Sequence, residues 1–324
     1  MAESDRFVST GSLPEHDRVK ALVNQAHEDF AAVDSGVPSD VYPALASADP
    51  ATFGICVASV DATVHEAGDT RVPFTIMSVA KPFTFALACD IVGTDAAGER
   101  LGVDATGLPF NSVEAVERGS GRTNPMVNAG AIATIDLFGS DAEDSWGAIR
   151  AGLSAFAGRE LFLDEATLES ARSTNFRNRA LAQLLESYGA IDADPFALLD
   201  VYTRQSCLAV TAFDLALMGA TLADGGVHPV TGRRVVSATA CHAALAVMAT
   251  AGLYETSGDW LYRVGLPGKS GIGGGIVTVS PGKGGLATLS PPLDAAGNSV
   301  RGQLVAEFLS ERLGLDIFSS ARYR

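Results

Sequence analysis

Strand-like segments lie near both ends of the chain, and a long helical block lies between them. Residues 53–61 (FGICVASVD) and 62–69 (ATVHEAGD) predict two strands that meet at a tight turn. Helical patterns dominate from about residue 78 to about 252. Three more strands linked by glycine-rich turns are then predicted at residues 259–265, 273–281 and 284–292. The natural packing of such a chain is one sheet assembled from both of its ends.

Helical patterns also flank this sheet, at residues 14–34 and 299–314. The prediction is therefore an α+β fold with helices against the sheet and a helical domain inserted into it. The sheet domain is assigned to residues 14–77 and 253–318, the helical domain to 78–252, and the two together to one catalytic unit. A cleft between them is the expected place for a site. A chain of 324 residues with 47% hydrophobic content can bury the large core this requires.

Charge and composition exclude several classes of partner. The net charge of −15 and the lack of a Lys/Arg-rich run argue against nucleic acid and anionic membranes. The apolar runs are too short and interrupted to span a bilayer, and the opening MAESDRFVST does not have the pattern of a secretory signal. Four cysteines without a C-x-x-C pair indicate free thiols in a reducing cytoplasm. The histidine spacing predicts no metal site.

The stretch TIMSVAKPF contains an S-x-x-K motif, Ser78 to Lys81, directly before Pro82. Because proline is tolerated in the first helical turn, a helix is predicted to begin at about Ser78 or Val79, with Lys81 on the same face as Ser78. A lysine kept neutral by burial can take the proton of a serine hydroxyl, and this motif is typical of one class of serine acyl-transfer enzymes. Taken alone, the motif is better explained as a capping serine beside a surface lysine.

A second motif, Lys269-Ser270-Gly271, comes just before the predicted strand IVTVS. S-x-x-K enzymes often carry K-[ST]-G on an edge strand that faces the serine, where the lysine adds positive charge and the glycine admits a substrate close to the backbone. Lys269 is therefore a further candidate for the site. A glycine-rich hairpin is the alternative, but the order of the two motifs along the chain favours the enzyme.

Amide and phenol side chains between and beside these motifs are candidates for binding and proton transfer. Asn111, Asn124 and Asn128 surround Pro125 in residues 109–134, and asparagine both donates and accepts hydrogen bonds. Turn chemistry is the better explanation for Asn111. Tyr254 lies just before the late strands and could meet Ser78 as a proton relay, although a half-buried core tyrosine is the alternative.

With these stretches in this order, the chain resembles the bacterial and mitochondrial glutaminases of the serine-dependent β-lactamase/transpeptidase-like class. The matching motifs extend from about residue 36 to 310 and include PFTIMSVAKPF, NPMVNAGAI, RNRALA, GLYETSGDW and GKSGIGGGIVTVSPGKGG. The resemblance implies an antiparallel five-stranded sheet with flanking helices and an inserted helical domain. It implies an amidohydrolase that converts L-glutamine to L-glutamate and ammonia through a serine acyl-enzyme, without metal or organic cofactor. A homodimer or homotetramer is also implied.

The resemblance also assigns roles to residues of this chain. Ser78 corresponds to the nucleophile, Lys81 to its activator, and Tyr254 to the relay that gives a proton to the leaving ammonia. The backbone amides of Ser78 and Ile272 correspond to the oxyanion hole, at which the family usually has valine in place of Ile272. Substrate contacts are implied for the side chains of Asn128, Asn178, Tyr202 and Tyr254, with Asn178 and Tyr202 helping to bind the α-amino and α-carboxylate groups.

Three positions depart from the family pattern. The tyrosine expected near the nucleophile is shifted by one residue, so that Val41 takes its place and Tyr42 follows. The glutamate expected to hold the substrate ammonium is Ala171, with Glu169 two residues earlier as a candidate replacement. The glutamine that usually precedes the nucleophile is Met77. These changes leave the acyl-transfer residues in place and alter the pocket for the amino-acid group.

Three alternatives to a glutaminase remain open at this point. The departures at Val41 and Ala171 fit a related serine amidase with a different amide substrate. A penicillin-recognising enzyme would share the S-x-x-K motif, but the chain lacks an S-D-N-type motif. A non-catalytic binding protein on the same scaffold would not need Ser78, Lys81 and Tyr254 together.

Overall fold

The computed structural model describes residues 12–319, so the opening decapeptide that was predicted not to be a secretory signal lies outside the described residues. Its strands are β1 (Gly54–Ser59), β2 (Val64–Gly68), β3 (Phe74–Thr75), β4 (Ala209–Val210), β5 (Gly268–Ser270), β6 (Gly275–Ser280) and β7 (Gly284–Leu289). Its α-helices are α1 (His16–Phe30), α2 (Lys81–Val92), α3 (Thr94–Leu101), α4 (Val113–Arg118), α5 (Asn128–Ile135), α6 (Ala142–Ala157), α7 (Glu165–Thr174), α8 (Phe176–Ser187), α9 (Pro195–Ser206), α10 (Ala212–Ala223), α11 (Ala238–Ala251), α12 (Ser257–Val264) and α13 (Val300–Leu313). Short 3₁₀ turns include Met77–Ala80 and Tyr254–Thr256.

Five of the strands form one antiparallel sheet in the order β2-β1-β7-β6-β5. The central pair joins the two ends of the chain, since β1 pairs with β7 and Val57 lies opposite Leu286. The predicted α+β fold with an antiparallel five-stranded sheet is thereby confirmed. Strands β3 and β4 pair separately, and β4 is a short extended piece inside a region that the sequence predicted as helical.

Every residue of the central strands β1, β6 and β7 is buried, which shows that both faces of the sheet are covered. Successive side chains of a strand point to opposite faces. Accordingly Ile55 and Val57 pack into a cluster with helices α1 and α13, whereas Cys56 and Ala58 pack into the larger cluster that contains α10. The continuous apolar run of β1 follows from this burial on two sides.

One predicted strand is wrong. Residues 259–265 lie in helix α12 and in the turn that ends it. In a strand Trp260, Tyr262 and Val264 would share one face, but Trp260 and Val264 are buried while Tyr262 is 92% exposed. Burial four residues apart fits a helix, and the aromatic content alone had favoured a strand. The third late strand is instead β5, which contains Lys269 and Ser270 and lies at the edge of the sheet, as the K-S-G motif predicted.

Helix α10 lies directly against the backbone of the sheet. A Cβ atom added to Gly285 of β7 would stand 2.4 Å from the carbonyl oxygen of Ala216 and 2.5 Å from the nitrogen of Ala220. Only glycine permits this approach. The helical segment and the sheet share one large apolar cluster through α10, and the proposed division into a sheet domain and a helical domain at residues 78 and 253 stays a prediction.

Replacing Gly285 with alanine is therefore expected to destabilise the protein by about 1–3 kcal/mol, the usual cost of overpacking. Urea unfolding of Gly285→Ala measures it. The matched control is Gly98→Ala, because Gly98 lies within α3 and its added Cβ would make only an ordinary contact, 3.6 Å from Val103. Alanine favours a helix over glycine, so the control should be as stable as the parent or more so. Equal stability of the two variants would contradict the close packing of α10.

Candidate active site

A cavity of about 540 Å³, counted with its open mouth, lies beside Ser78 where the 3₁₀ turn before α2 meets helices α5, α8 and α9 and the end of β5. It is lined by Val41, Tyr42, Met77, Ser78, Phe110, Asn111, Asn128, Thr174, Asn175, Arg177, Asn178, Tyr202, Ser206 and Ile272. The motifs identified in the sequence thus meet around one cavity.

Ser78 is held by a strained turn. Met77, just before it, has a φ of +47°, a conformation that non-glycine residues adopt at a cost. The 3₁₀ turn Met77–Ala80 then leads into α2, which begins at Lys81 with Pro82 in its first turn. The α-helix begins three residues later than Ser78, but Pro82 occupies the predicted place. The Ser78 side chain faces the cavity from the N-terminal end of this helical segment.

Lys81 is buried beneath the cavity, with 2% of its surface exposed. Its Nζ atom donates to Asn128 Oδ1 at 2.7 Å and to the carbonyl oxygen of Met126 at 3.4 Å. Removal from water disfavours the charged form, and burial lowers the pKa of Lys81 to about 7. At neutral pH a large fraction of this side chain is therefore an uncharged amine, which can accept a proton.

Lys81 fixes the orientation of three amide side chains. Lys81 donates to Asn128 Oδ1, and Asn128 Nδ2 is therefore turned towards Asn178, whose Oδ1 accepts at 2.9 Å. Asn178 Nδ2 then donates to Asn175 Oδ1 at 2.6 Å, and Asn175 Nδ2 donates to Thr203 Oγ1 at 3.0 Å. The result is a buried hydrogen-bond chain that connects α2, α5, α8 and α9.

Tyr202 joins this chain from helix α9. Its hydroxyl group donates to Asn128 Oδ1 at 3.1 Å, so that Asn128 accepts from both Tyr202 and Lys81. Burial raises the pKa of Tyr202 well above its ordinary value, which keeps its proton in place. The structure thus brings Asn128, Asn178 and Tyr202 together on one polar wall of the cavity.

Tyr254 lies in the turn before α12 with a φ of +58°, and it is not among the residues that line the cavity. Its hydroxyl group donates to the carbonyl oxygen of Ser270 at 3.2 Å. Burial raises the pKa of Tyr254 to about 12, against smaller lowering effects of hydrogen bonds with Ser78 and Ser270. Its ring packs on Phe110 with centroids 4.7 Å apart. Tyr254 is therefore a protonated, rigidly held donor next to Ser78.

Lys269 supports Tyr254 rather than lining the cavity. It is fully buried, and its Nζ atom donates to the carbonyl oxygens of Gly252 at 2.8 Å and Ser270 at 2.7 Å. The same atom lies 4.3 Å from the centroid of the Tyr254 ring. The pKa of Lys269 is lowered well below its usual range, mainly by burial and to a smaller extent by the nearby Lys81.

Two backbone amides are available at the cavity. In the described part of the chain, the N–H groups of Ser78 and Ile272 have no intramolecular acceptor, and both residues line the cavity. The turn that contains Ile272 packs closely against the segment before Ser78. A Cβ atom added to Gly273 would lie only 2.5 Å from the carbonyl oxygen of Thr75. Two such donors on facing segments fit an anion-stabilising site.

The other sequence candidates have mixed outcomes. Tyr42 lines the cavity despite its shift by one residue, and Asn111 lines it too. Asn124 is structural, because its side chain donates to the carbonyl oxygen of Asp104 and accepts from the amide of Met126. Glu169 is exposed and does not line the cavity. The roles of individual residues, including Ser78 and Lys81 as catalytic groups, stay predictions.

Sequence reasoning missed two polar residues at the site. Asn175 carries the third amide of the buried chain, and Arg177 lines the mouth with its Nε donating to the carbonyl oxygen of Asn111 at 2.9 Å. Both come just before Asn178 in the stretch TNFRN, so a polar cluster next to a known candidate was the available signal. Within residues 12–319 no group of His, Cys, Asp or Glu is arranged to hold a metal ion.

Comparisons with known proteins agree on one family. The glutaminase family model matches residues 36–318. The chain is 59% identical to glutaminase 2 of Yersinia pestis over 319 residues, covering 98% of this chain and 94% of that protein. It is 45% identical to the glutaminase of Colwellia psychrerythraea over 307 residues, covering 94% and 99%.

Solved structures give the same result. The probable glutaminase ybaS superposes with a TM-score of 0.93 at 42% identity, over 95% of this chain and all of that one. The glutamate form of Mglu superposes with a TM-score of 0.89 at 36% identity, over 95% of this chain and 72% of that one.

The buried Lys81 predicts a pH-dependent stability. Its pKa of about 7 in the folded protein lies below the unfolded value of about 10.4, so the unfolded chain binds an extra proton between these limits. The free energy of unfolding of the parent, measured against that of Lys81→Met, should therefore rise by about 1.4 kcal/mol per pH unit across this window.

Urea unfolding at a series of pH values from 6 to 10 tests this expectation, with Lys20→Met as the control that removes an exposed lysine of α1. If the parent and Lys81→Met curves stayed parallel over the whole range, the Lys81 side chain would not be an amine of lowered pKa.

Proposed function

The chain belongs to the glutaminase family, and we propose that it hydrolyses L-glutamine to L-glutamate and ammonia through an acyl-enzyme formed on Ser78. The observation that carries this proposal is that Ser78 lines the cavity while the Tyr254 phenol forms a hydrogen bond with it and the buried amine of Lys81, with its lowered pKa, lies three residues along the chain. The glutamate form of Mglu, a similar protein of solved structure, also supports this proposal, because glutamate is the product of the proposed reaction.

Lys81 is the base that activates Ser78. In its neutral form the amine keeps two N–H groups for Asn128 Oδ1 and for the carbonyl oxygen of Met126, and its lone pair is left for the Ser78 hydroxyl proton. The Ser78 oxygen then attacks the side-chain amide carbon of glutamine. Burial supplies the lowered pKa that this step requires at neutral pH.

The negative charge that develops on the amide oxygen needs donors. The amides of Ser78 and Ile272 are suited to this because in the described chain they have no other acceptor. Because both are backbone groups, isoleucine in place of the usual valine leaves the donor unchanged. Donors fixed in advance at such a position are worth about 3–4 kcal/mol each in other enzymes.

Collapse of this intermediate breaks the carbon–nitrogen bond. Tyr254 gives its proton to the departing nitrogen, which leaves as ammonia, and the Tyr254 phenolate then takes from Lys81 the proton that Lys81 had removed from Ser78. Water then attacks the glutamyl ester with Lys81 as base, the carbon–oxygen bond to Ser78 breaks, and glutamate is released. A pKa of about 12 keeps Tyr254 protonated throughout the neutral range, and Lys269 holds its ring in place.

The cellular compartment and the oligomeric state are proposed on separate grounds. The four cysteines are all buried and unpaired, which agrees with the cytoplasmic location predicted from the sequence. None of the described helices is long and apolar enough to cross a membrane. We propose a homodimer or homotetramer on the family resemblance, and light scattering of the purified protein would establish which.

The nucleophile is tested by replacing it. Ser78→Ala should lower kcat for glutamine hydrolysis at least a thousandfold, because no covalent intermediate can form. With hydroxylamine present, the parent should also form γ-glutamyl hydroxamate by capture of the acyl-enzyme, and Ser78→Ala should form none. The control is Ser187→Ala, which removes an exposed hydroxyl at the end of α8. Undiminished hydrolysis by Ser78→Ala would overturn the mechanism.

The acid–base assignment predicts the shape of the pH profile. kcat/KM should rise with pH through about 7 as Lys81 loses its proton, and then stay level up to about pH 10 because Tyr254 remains protonated. Lys81→Arg, which stays charged, should be inactive over the whole range. Tyr254→Phe should be slower at every pH but keep the rise near 7. A profile that is flat between pH 6 and 8 would contradict Lys81 as the base.

A further inference from the structure

The buried hydrogen-bond chain beside the cavity ends at Thr203 of helix α9. The Oγ1 atom of Thr203 lies 2.7 Å from the carbonyl oxygen of Leu199 and 3.0 Å from Asn175 Nδ2. Because a backbone carbonyl can only accept, the hydroxyl proton of Thr203 goes to Leu199. Oγ1 then has only lone pairs for Asn175, which must turn Nδ2 rather than Oδ1 towards it. The end of the chain therefore has a fixed polarity of its own.

This polarity is passed back along the chain to the cavity. With Nδ2 of Asn175 turned to Thr203, Oδ1 of Asn175 accepts from Asn178 Nδ2 at 2.6 Å. Asn178 Oδ1 is then left to accept from Asn128, which is the orientation that Lys81 also requires. The amide of Asn178 is thus held from two ends of the chain, and the two ends agree.

Asn175 makes this link instead of capping its own helix. It lies at the N-cap position of α8, where an asparagine side chain commonly accepts a hydrogen bond from the first helical turn. Here it makes no such bond, because its oxygen and its nitrogen are used on Asn178 and Thr203. Asn175 and Thr203 expose only 5% and 3% of their surface. The Asn175 side chain is therefore better explained by the amide that it holds than by the helix that it precedes.

Thr203 itself does not line the cavity, whereas Asn175 and Asn178 do. One N–H of the Asn178 Nδ2 group is used on Asn175, and within residues 12–319 the other has no acceptor. This second N–H is available to a ligand in the cavity. Any effect of Thr203 on that ligand must pass through the two amides.

We propose that Thr203 is a positioning residue for substrate binding, which acts through Asn175 to hold the free N–H of Asn178 towards the amino-acid end of glutamine. This role rests on the proposed function, because it needs glutamine in this cavity with its amino-acid end at the polar wall. Such a restraint favours the bound substrate and the transition state alike. Its loss therefore raises KM and leaves kcat nearly unchanged.

Two substitutions separate the hydroxyl group of Thr203 from its shape. Thr203→Val keeps the branched shape and removes the hydroxyl, so KM for L-glutamine should rise about three- to tenfold, the effect of losing one neutral hydrogen bond, while kcat stays within about twofold. Thr203→Ser keeps the hydroxyl and loses the methyl group, and should bring KM back close to that of the parent. A rise of less than threefold in Thr203→Val would overturn the proposal, and so would a larger rise in Thr203→Ser, which would assign the effect to packing.

Thr221→Val is the matched control. Thr221 is fully buried in helix α10, and its hydroxyl donates to the carbonyl oxygen of Leu217 four residues earlier, as that of Thr203 donates to Leu199. It does not line the cavity, and within residues 12–319 its hydroxyl accepts no hydrogen bond. Thr221→Val should keep the KM and kcat of the parent. An equal rise of KM in both valine variants would show that lost stability is the cause and would overturn the proposal.

L-Glutamate measures the binding step alone, because it has the same amino-acid end and is not hydrolysed. Its dissociation constant, measured by calorimetry at pH 7, should rise in Thr203→Val by about the same factor as KM, and an unchanged value would overturn the proposal. Asn175→Ala should also weaken glutamate binding. Adding Thr203→Val to Asn175→Ala should weaken it no further, because Thr203 acts only through Asn175. A further loss of affinity in the double variant would contradict this route.

The pH profile distinguishes binding from proton transfer. The rise of kcat/KM near pH 7 should keep its midpoint in Thr203→Val, because Lys81 keeps its contacts with Asn128 and Met126. A shifted midpoint would assign Thr203 to the proton transfer and overturn the proposal.

The two proposals fail in different ways. If the parent hydrolyses L-glutamine through Ser78 and Thr203→Val has the KM of the parent, the positioning role is wrong and the proposed function stands. If the parent releases no ammonia from L-glutamine, the proposed function is wrong and this proposal with it.

Discussion

The hydrogen bond from Lys81 to Asn128 is the contact on which the rest of the site depends. A buried lysine has few ways to satisfy its nitrogen, and here it uses an amide oxygen and a backbone carbonyl. The hydrogen bond from Lys81 orients the amide of Asn128, which orients that of Asn178, which in turn orients that of Asn175. Each of these amides could otherwise be rotated by 180°. Chemistry at the serine and recognition by the polar wall are therefore set by the same buried group.

The fold makes this arrangement possible because Ser78 and Lys81 are both buried, yet Ser78 still lines the cavity while Lys81 does not. The strained turn at Met77 places Ser78 at the cavity. Lys81, three residues later, lies in the first turn of α2, beneath the cavity. Both residues that carry positive φ values at the site, Met77 and Tyr254, lie next to or within the proposed machinery. Strain of this kind persists only where surrounding packing determines the conformation. Here Met77 packs in a buried cluster with Leu45 and Ala171, and Tyr254 packs on Phe110.

Much of this could be predicted from residue pattern alone. Pro82 predicted the start of helix α2 to within three residues, and the K-S-G motif predicted the edge strand β5. The strand predicted at residues 259–265 is wrong, because residue types alone do not distinguish a strand from a short amphipathic helix. The burial of Trp260 and the exposure of Tyr262 show that the segment is helical. Asn175 and Arg177 could not be ranked from sequence, since their importance comes from which helix faces them across space.

Strand β5 ends the sheet, and an open sheet edge is a surface on which another chain can add a strand. Here the carbonyl oxygen of Ser270 already accepts from both Tyr254 and Lys269, and the amide of Ser270 donates to the carbonyl oxygen of Gly252. Residues of the proposed active site therefore also occupy the backbone groups of Ser270 at this edge. A substitution of Tyr254 or Lys269 would free the carbonyl oxygen of Ser270 in part, so it would change the sheet edge together with the proposed site.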